Sequence, residues 1–325
     1  MIDALATEAH FVDHIAAVFS ALPPAQRGSF MTASAPTAER IRELGYVPSE
    51  PRGSDNPILA AAFGDMVRAK SLTNRIALME HGAGQSYGGR GVGQHGSYAG
   101  GRGRDAVGLF LHPGPHPAER DRRAYPGARV EVVGAPHLDT LPQREGTPDH
   151  VVAVTFHFNG PICPETRTAY PHFFPAIAAL SSRYQVLGHG HPRLWDMGRK
   201  GRQLADRYRE FGIEPVQSFA EVCRRADVLV FDNTSAGFAF AATGRPVVVM
   251  NSPRYDRRVH HGLRFWDAAN VGVNCDDPTT LGDCIDQALA DNAEQQANRE
   301  AALSLVYAYR TGAAKRAADA LMDWQ

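Results

Sequence analysis

The chain has 325 residues, a formal net charge of −1, 43% hydrophobic residues and 21% charged residues. At roughly 100–200 residues per domain this length predicts two domains, and the ordinary composition excludes a disordered chain. The near-zero charge excludes a general polyanion binder, and no apolar run reaches the roughly 18 residues that a membrane-crossing helix needs.

Residues 1–19 carry Asp3, Glu8 and Asp13 among apolar residues and lack a positively charged start. They read as an amphipathic helix rather than a signal peptide, and a cytoplasmic protein is expected. Three short apolar runs follow at 75–80 (RIALME), 107–111 (VGLFL) and 129–133 (RVEVV), each stopped by Gly, His-Gly or His-Pro. Runs of this length with such stops suit buried parallel strands. Residues 86–104, rich in Gly and Arg without periodicity, read as a flexible loop. The polar stretch 141–150 has two prolines and reads as a linker, which sets the domains at 1–145 and 146–325.

Beyond the linker, strands are predicted at 151–158, 184–187, 228–231 and 246–250. Helices are predicted at 170–182, 198–211 and 236–242, with Gly244 as a C-cap. From 279 onward the pattern is helical, over 281–290 and 294–309. Such alternation predicts parallel sheets covered by helices on both faces.

Several chemistries are excluded. Cys163, Cys223, Cys275 and Cys284 form no CxxC pair, which argues against a zinc site and a disulfide framework. His189 and His191, and the adjacent His260 and His261, have no carboxylate at helix spacing, so no metal is expected. Residues 91–96 match GxGxxG but join no strand to a helix, and no P-loop sequence exists. Two arginine-rich stretches read as solvated faces: Arg193 through Arg209, and Arg254 through Arg264.

In open parallel sheets ligands bind beyond the carboxyl ends of the strands. His81 and Gly82, His112, Asn159, His189 and His191 with Arg193, and Asp232, Asn233, Thr234 and Ser235 all follow predicted strands. The last group opens a helix at once. Its hydroxyls and the unpaired N–H groups of a first turn suit a phosphate, with Ala236 and Gly237 allowing close approach. Ordinary N-capping by Ser or Thr explains the same residues equally well. His10, His14, His137 and His172 read as core or surface histidines.

Residues 226–249 (ADVLVFDNTSAGFAFAATGRPVVV) resemble the signature of the CDP-glycerol glycerophosphotransferases, teichoic acid polymerases of the glycosyltransferase B (GT-B) superfamily. The matching elements are Asp232, Asn233, Thr234 and Ser235, then Thr243, Gly244, Arg245 and Pro246. Glu80-His81-Gly82 and the His-Pro element at His191 and Pro192 resemble two further family motifs. Departures are Ala239, where the family usually carries an acid, and Asn233 and Thr234, where it has an aromatic and a serine.

The resemblance implies a GT-B fold: two Rossmann-like parallel-sheet domains facing a cleft, with C-terminal helices crossing back. It implies an N-terminal acceptor domain and a C-terminal nucleotide-donor domain. It also implies catalytic roles for His81, at the acceptor hydroxyl, and for His191, at the donor diphosphate. Gly82, His189, Arg193, Asp232, Asn233, Thr234 and Ser235 would bind the donor. No tightly bound cofactor or metal is implied, because imidazole, arginine and a helix N-terminus can stabilise a leaving diphosphate.

Three functions follow. The first is transfer of a sugar from a nucleotide-diphosphate donor to a hydroxyl acceptor. Its special case is hydroxymethylated bases of DNA, contacted by Arg90, Arg102, Arg104 and the helix near Arg202. The second is CDP-glycerol-type glycerophosphate transfer. The third is nucleotide-sugar epimerisation, or non-catalytic binding of a nucleotide-sugar.

Overall fold

A computed structural model describes residues 1–79, 81–83, 104–146, 149–158, 168–195, 198–255 and 270–325. The predicted Gly/Arg loop, apart from Arg104, lies outside them, as do the GxGxxG stretch, Cys163 and the His260–His261 pair. The chain divides into two compact units, Met1–Thr140 with Val306–Gln325, and Leu141–Leu305.

The first unit holds seven strands, β1 (Ile2–Leu5), β2 (Arg27–Met31), β3 (Pro48–Ser49), β4 (Ile58–Ala60), β5 (Ile76–Met79), β6 (Val107–His112) and β7 (Arg129–Val132). All pair in parallel in the order β3-β2-β1-β4-β5-β6-β7. Alternate residues serve opposite faces. Ala4, Leu59, Ala77 and Leu109 meet Phe11, Ile15 and Phe19 of helix α1 (Ala9–Ala21). Leu5, Ile58, Ala60, Leu78 and Phe110 meet Met66 of α3 (Phe63–Ala69) and Ala118 of α4 (Pro115–Ala124). A sheet buried on both faces needs apolar residues at both parities, which is why these strands read as unbroken runs. Helix α2 (Ala35–Glu43) connects β2 to β3.

The start of the chain differs from the expected helix. Residues 2–5 are a central strand, and Asp3 belongs to no polar helix face. Its buried carboxylate accepts from Ser29 N (2.7 Å) and Ser54 Oγ (2.5 Å).

The second unit holds β8 (Val152–Thr155), β9 (Val186–Gly188), β10 (Glu214–Pro215), β11 (Val228–Phe231), β12 (Val247–Met250) and β13 (Val273–Cys275). They form one parallel sheet ordered β10-β9-β8-β11-β12-β13. Val152, Val154, Val228, Val230 and Val248 pack on Phe173 and Ile177 of α5 (Tyr170–Leu180) and on Ile285 of α10 (Leu281–Ala290). The connecting helices are α6 (Pro192–Trp195), α7 (Arg199–Glu210), α8 (Phe219–Arg225) and α9 (Ala236–Ala241).

After α11 (Ala293–Val306), the final helix α12 (Ala313–Trp324) returns to the first unit, where Ala317 and Leu321 join the core built on α1. Among the described residues, no helix is long and apolar enough to cross a membrane.

Each strand order reverses once. The chain builds outward from β1 to β3 and then returns to pair β4 with β1; it builds from β8 to β10 and then pairs β11 with β8. The crevices beyond the carboxyl ends of β1/β4 and β8/β11 are therefore the places where such sheets bind ligands.

Candidate functional site

In the second unit, the exit of β11 is organised by Asp232, which is fully buried. Its carboxylate accepts from His157 N (2.9 Å), Thr168 Oγ1 (2.7 Å) and Ala169 N (3.1 Å). Three donors satisfy a buried carboxylate that would otherwise be costly to desolvate. Asp232 thus anchors the exit of β8 and the start of α5. The carboxylate expected at the donor thus also holds protein N–H and hydroxyl donors.

His189 is likewise engaged within the protein. It is 3% exposed, its Nδ1 lies 2.8 Å from Thr155 Oγ1, and its carbonyl accepts from the Tyr208 hydroxyl at 3.1 Å. Burial pushes its imidazole down to about 4, against a hydrogen bond that the ring donates to the Gln217 backbone. It is a neutral structural ring at pH 7.

His191 stands apart from it. The ring is half-buried, and its Nδ1 accepts from Arg193 N at 3.2 Å. In the neutral ring this puts the proton on Nε2, the nitrogen that can donate to an anion. Phe158 packs against the ring (centroids 4.6 Å apart), His157 lies at 5.2 Å, and the Arg193 guanidinium sits 5.1 Å over the Phe158 ring. His157 and Phe158 were missed from sequence because strand β8 ends at Thr155 rather than at residue 158. The signal available was length, since the paired β11 spans only four residues before its polar exit.

Asn233 and Thr234 are buried at the same edge, and Ser235 is half-buried at the N-cap of α9. Ser235 makes no capping bond with its side chain. Thr234 Oγ1 accepts from Ala236 N at 3.4 Å. The plain capping explanation therefore accounts for Thr234 and leaves the Ser235 hydroxyl unexplained. Helix α9 has only six residues, so its first-turn N–H groups, not a long macrodipole, are what it offers an anion. Gly237 does not open the backbone to a ligand. A Cβ there would lie 2.2 Å from the Phe231 ring, so the glycine lets α9 lie close on β11.

In the first unit, β5 runs into His81 and Gly82, and Gly82 turns the chain at φ +85°, a conformation that favours glycine. His81 Nδ1 donates to the Ala61 carbonyl at 2.7 Å. That fixes the proton on Nδ1 and makes Nε2 the nitrogen able to accept one. Phe11 packs against the ring at 4.8 Å, with His14 at 6.0 Å and His10 at 6.5 Å. His14 in turn lies 4.5 Å from His137.

Burial pushes His137 down to about 4, with His81 adding to the effect. Burial also holds His14 well below its usual value, with His137, His81 and His10 contributing. Three histidines that read as core or surface thus gather around His81, and burial keeps two of them, His14 and His137, uncharged. Their separation in sequence hid this.

Arg104 is 1% exposed, with its guanidinium 6.0 Å over the Phe63 ring, so it does not present itself to a polyanion. Arg202 of α7 is exposed. Among the described residues no group of three or more His, Cys, Asp and Glu side chains could hold a metal ion. A polar cavity of about 190 Å³ lies at the other end of the second sheet, lined by Pro246, Val247, Gly272, Asn298 and Arg299. There Arg299 is paired with Asp291 (2.7 and 3.1 Å) and with the Gly244 carbonyl (3.0 Å), so its charge is already neutralised.

No protein-family model and no curated protein sequence matches the chain. Solved structures do. A UDP-N-acetylglucosamine 2-epimerase superposes with TM-score 0.64 at 14% identity, over 99% of this chain and 95% of that one. The wall teichoic acid polymerase TagF, soaked with CDPG, gives 0.62 at 11%, over 99% and 88%. Anabaena Alr3699/HepE, in complex with UDP and glucose, gives 0.57 at 10%, over 99% and 98%. At such identities the likeness is one of fold, and the chain has the GT-B type: two Rossmann-like units, each built on a parallel sheet.

Proposed function

We propose that the chain is a GT-B-fold glycosyltransferase that moves a sugar from a nucleotide-diphosphate donor to a hydroxyl acceptor. The observation that carries this reading is the carboxyl edge of the second sheet. There the Ser235 hydroxyl has no capping role, His191 presents Nε2–H, and Arg193 adds a positive charge. Donors gathered at a strand-order reversal suit a diphosphate. Asn233 and Thr234 complete that edge, with His189 and Asp232 positioning it from beneath. The fold neighbours solved with CDPG, or with UDP and glucose, support a nucleotide-activated donor.

In this mechanism His81 Nε2 takes the proton of the acceptor hydroxyl, and Gly82 next to it serves the donor. The acceptor oxygen bonds to the donor's sugar carbon as the bond from that carbon to the diphosphate oxygen breaks. The departing nucleoside diphosphate keeps the electron pair, and Arg193, His191 and Ser235 stabilise its charge. No tightly bound cofactor enters this scheme.

A second reading, CDP-glycerol-type transfer, draws on the motif at residues 226–249. Ala239 separates the chain from that family, since it is buried in α9 and offers no carboxylate to donor hydroxyls. An epimerase would convert a nucleotide-sugar with no acceptor present. Duplex DNA as acceptor draws on Arg202 alone among the described residues.

Thermal denaturation with UDP-, CDP-, GDP- and TDP-linked donors tests the proposal. At least one raises the Tm by mass action. A panel in which no donor shifts the transition sinks it, and conversion of a bound sugar without acceptor transfers the chain to the epimerase reading.

A further inference from the structure

We infer that Asp65 is a positioning residue that fixes the tautomer of His81 through Ala61. Its importance for chemistry rests on the reading of His81 as the acceptor's base; its structural content does not.

Asp65 lies in the first turn of α3 and is fully buried. Its Oδ1 accepts from Thr7 N (2.7 Å) and Thr7 Oγ1 (2.6 Å), and its Oδ2 accepts from Ala61 N (3.2 Å). Thr7 follows β1 and Ala61 follows β4, so one carboxylate ties together the exits of the two strands where the sheet order reverses. Ala61 is then held at its N–H by Asp65 while its carbonyl receives Nδ1–H of His81 at 2.7 Å. A carbonyl accepts and never donates, so a fixed carbonyl leaves the neutral ring one choice: proton on Nδ1, lone pair on Nε2.

A capping box would bond the N–H of the N-cap Ala62, whereas Asp65 reaches one residue further back, to Ala61 N. The two bonds to Thr7 reach across to another strand exit and fix the height of Ala61 relative to β1. Burial pushes the Asp65 carboxyl up to about 6, against the hydrogen bonds from Thr7 and Ala61, and Glu8 adds to the rise. At neutral pH it is therefore still the ionised acceptor that this geometry uses.

Asp65→Asn is close in shape and cannot reproduce the pattern. Whichever way its amide is turned, the NH2 group faces either Thr7 N–H or Ala61 N–H, donor against donor. Imidazole ¹⁵N spectra of the full chain, with the His81 signals assigned by their loss in His81→Gln, read the outcome directly. Wild type shows His81 with the proton on Nδ1 as the major form. In Asp65→Asn that form becomes the minor one. Thr7→Ala, which removes only the hydroxyl bond, shifts the balance in the same direction by less, and Thr7→Ser leaves it at wild type.

An unchanged His81 tautomer in folded Asp65→Asn overturns the inference. If that variant does not fold, an unchanged tautomer in Thr7→Ala overturns it instead. These spectra need neither donor nor acceptor. A tautomer shift in a protein that turns over no donor leaves the inference standing and removes the transferase reading. Turnover with an unmoved tautomer does the reverse. Where turnover is measurable, Asp65→Asn lowers kcat and leaves the donor KM in place. The loss is smaller than the about 10²–10⁴-fold that a general base contributes.

Discussion

At the carboxyl edge of the first sheet, Asp65 ties the exits of β1 and β4; at that of the second, Asp232 ties the exits of β8 and β11. Both carboxylates are fully buried, and both accept from two backbone N–H groups and one threonine hydroxyl. What stands on the two foundations differs. The first edge carries His81 among neutral imidazoles, with its proton-accepting nitrogen defined by Ala61. The second carries donors: Nε2–H of His191, the Arg193 guanidinium and the Ser235 hydroxyl. One edge is built to take a proton, the other to hold negative charge. The same construction thus supports two chemistries, and the difference lies in side chains placed two to five residues beyond the strand ends.

The strongest test of this contrast is His81→Ala. It should lower kcat by about 10²–10⁴-fold, the usual contribution of general-base catalysis, with donor affinity unchanged. Equal losses in both, seen in steady-state kinetics and donor titration, would put His81 on the donor and collapse the division of labour.

Next in size is the acid sensitivity that the buried His189 confers on the second unit. Its folded-state value of about 4 lies below the ordinary 6.5, so between these pH values the unfolded chain binds the extra proton. The stability it contributes is complete above pH 6.5 and is lost as the pH falls toward 4, by on the order of 3 kcal/mol. Urea unfolding at a series of pH values should show a shallower acid slope in His189→Gln. A slope identical to wild type would mean that this ring is not buried and neutral, and would reopen it as a ligand group.

The smallest expected effect is that of Ser235→Ala. Donor binding should weaken by roughly 1.5–3 kcal/mol, the value of one hydrogen bond to a charged group, with the unfolding midpoint unmoved. A lowered midpoint with intact donor affinity would return Ser235 to an ordinary structural role.

Much of the second unit was legible because its strands obey one simple rule. Residues 228–231 are buried on both faces and bounded by polar turns, and the run VLVF states this without help from the rest of the chain. The first sixty residues obey the same rule less visibly. Asp3 interrupts β1 because its carboxylate is consumed by Ser29 and Ser54, which no local pattern announces. Strand β3 has two residues and β4 three, too few to show a period.

The candidate site divides in the same way. That Thr234 and Ser235 open a helix after a strand is local and readable. That Asp232 holds His157, Thr168 and Ala169, which lie 63–75 residues earlier in the chain, is set by the order of strands in the sheet and not by any spacing in the sequence. The gathering of His14, His81 and His137 is hidden for the same reason.

The return of α12 to the first unit has a temporal consequence. During synthesis every residue of the second unit, through Leu305, is added to the chain before Ala317 and Leu321 are. The first unit therefore begins before the second and is completed after it: Phe11 and Ile15 wait for Ala317 and Leu321. In a released chain cut short before residue 313, the second unit can be protease-resistant while the first, lacking Ala317 and Leu321, is still open.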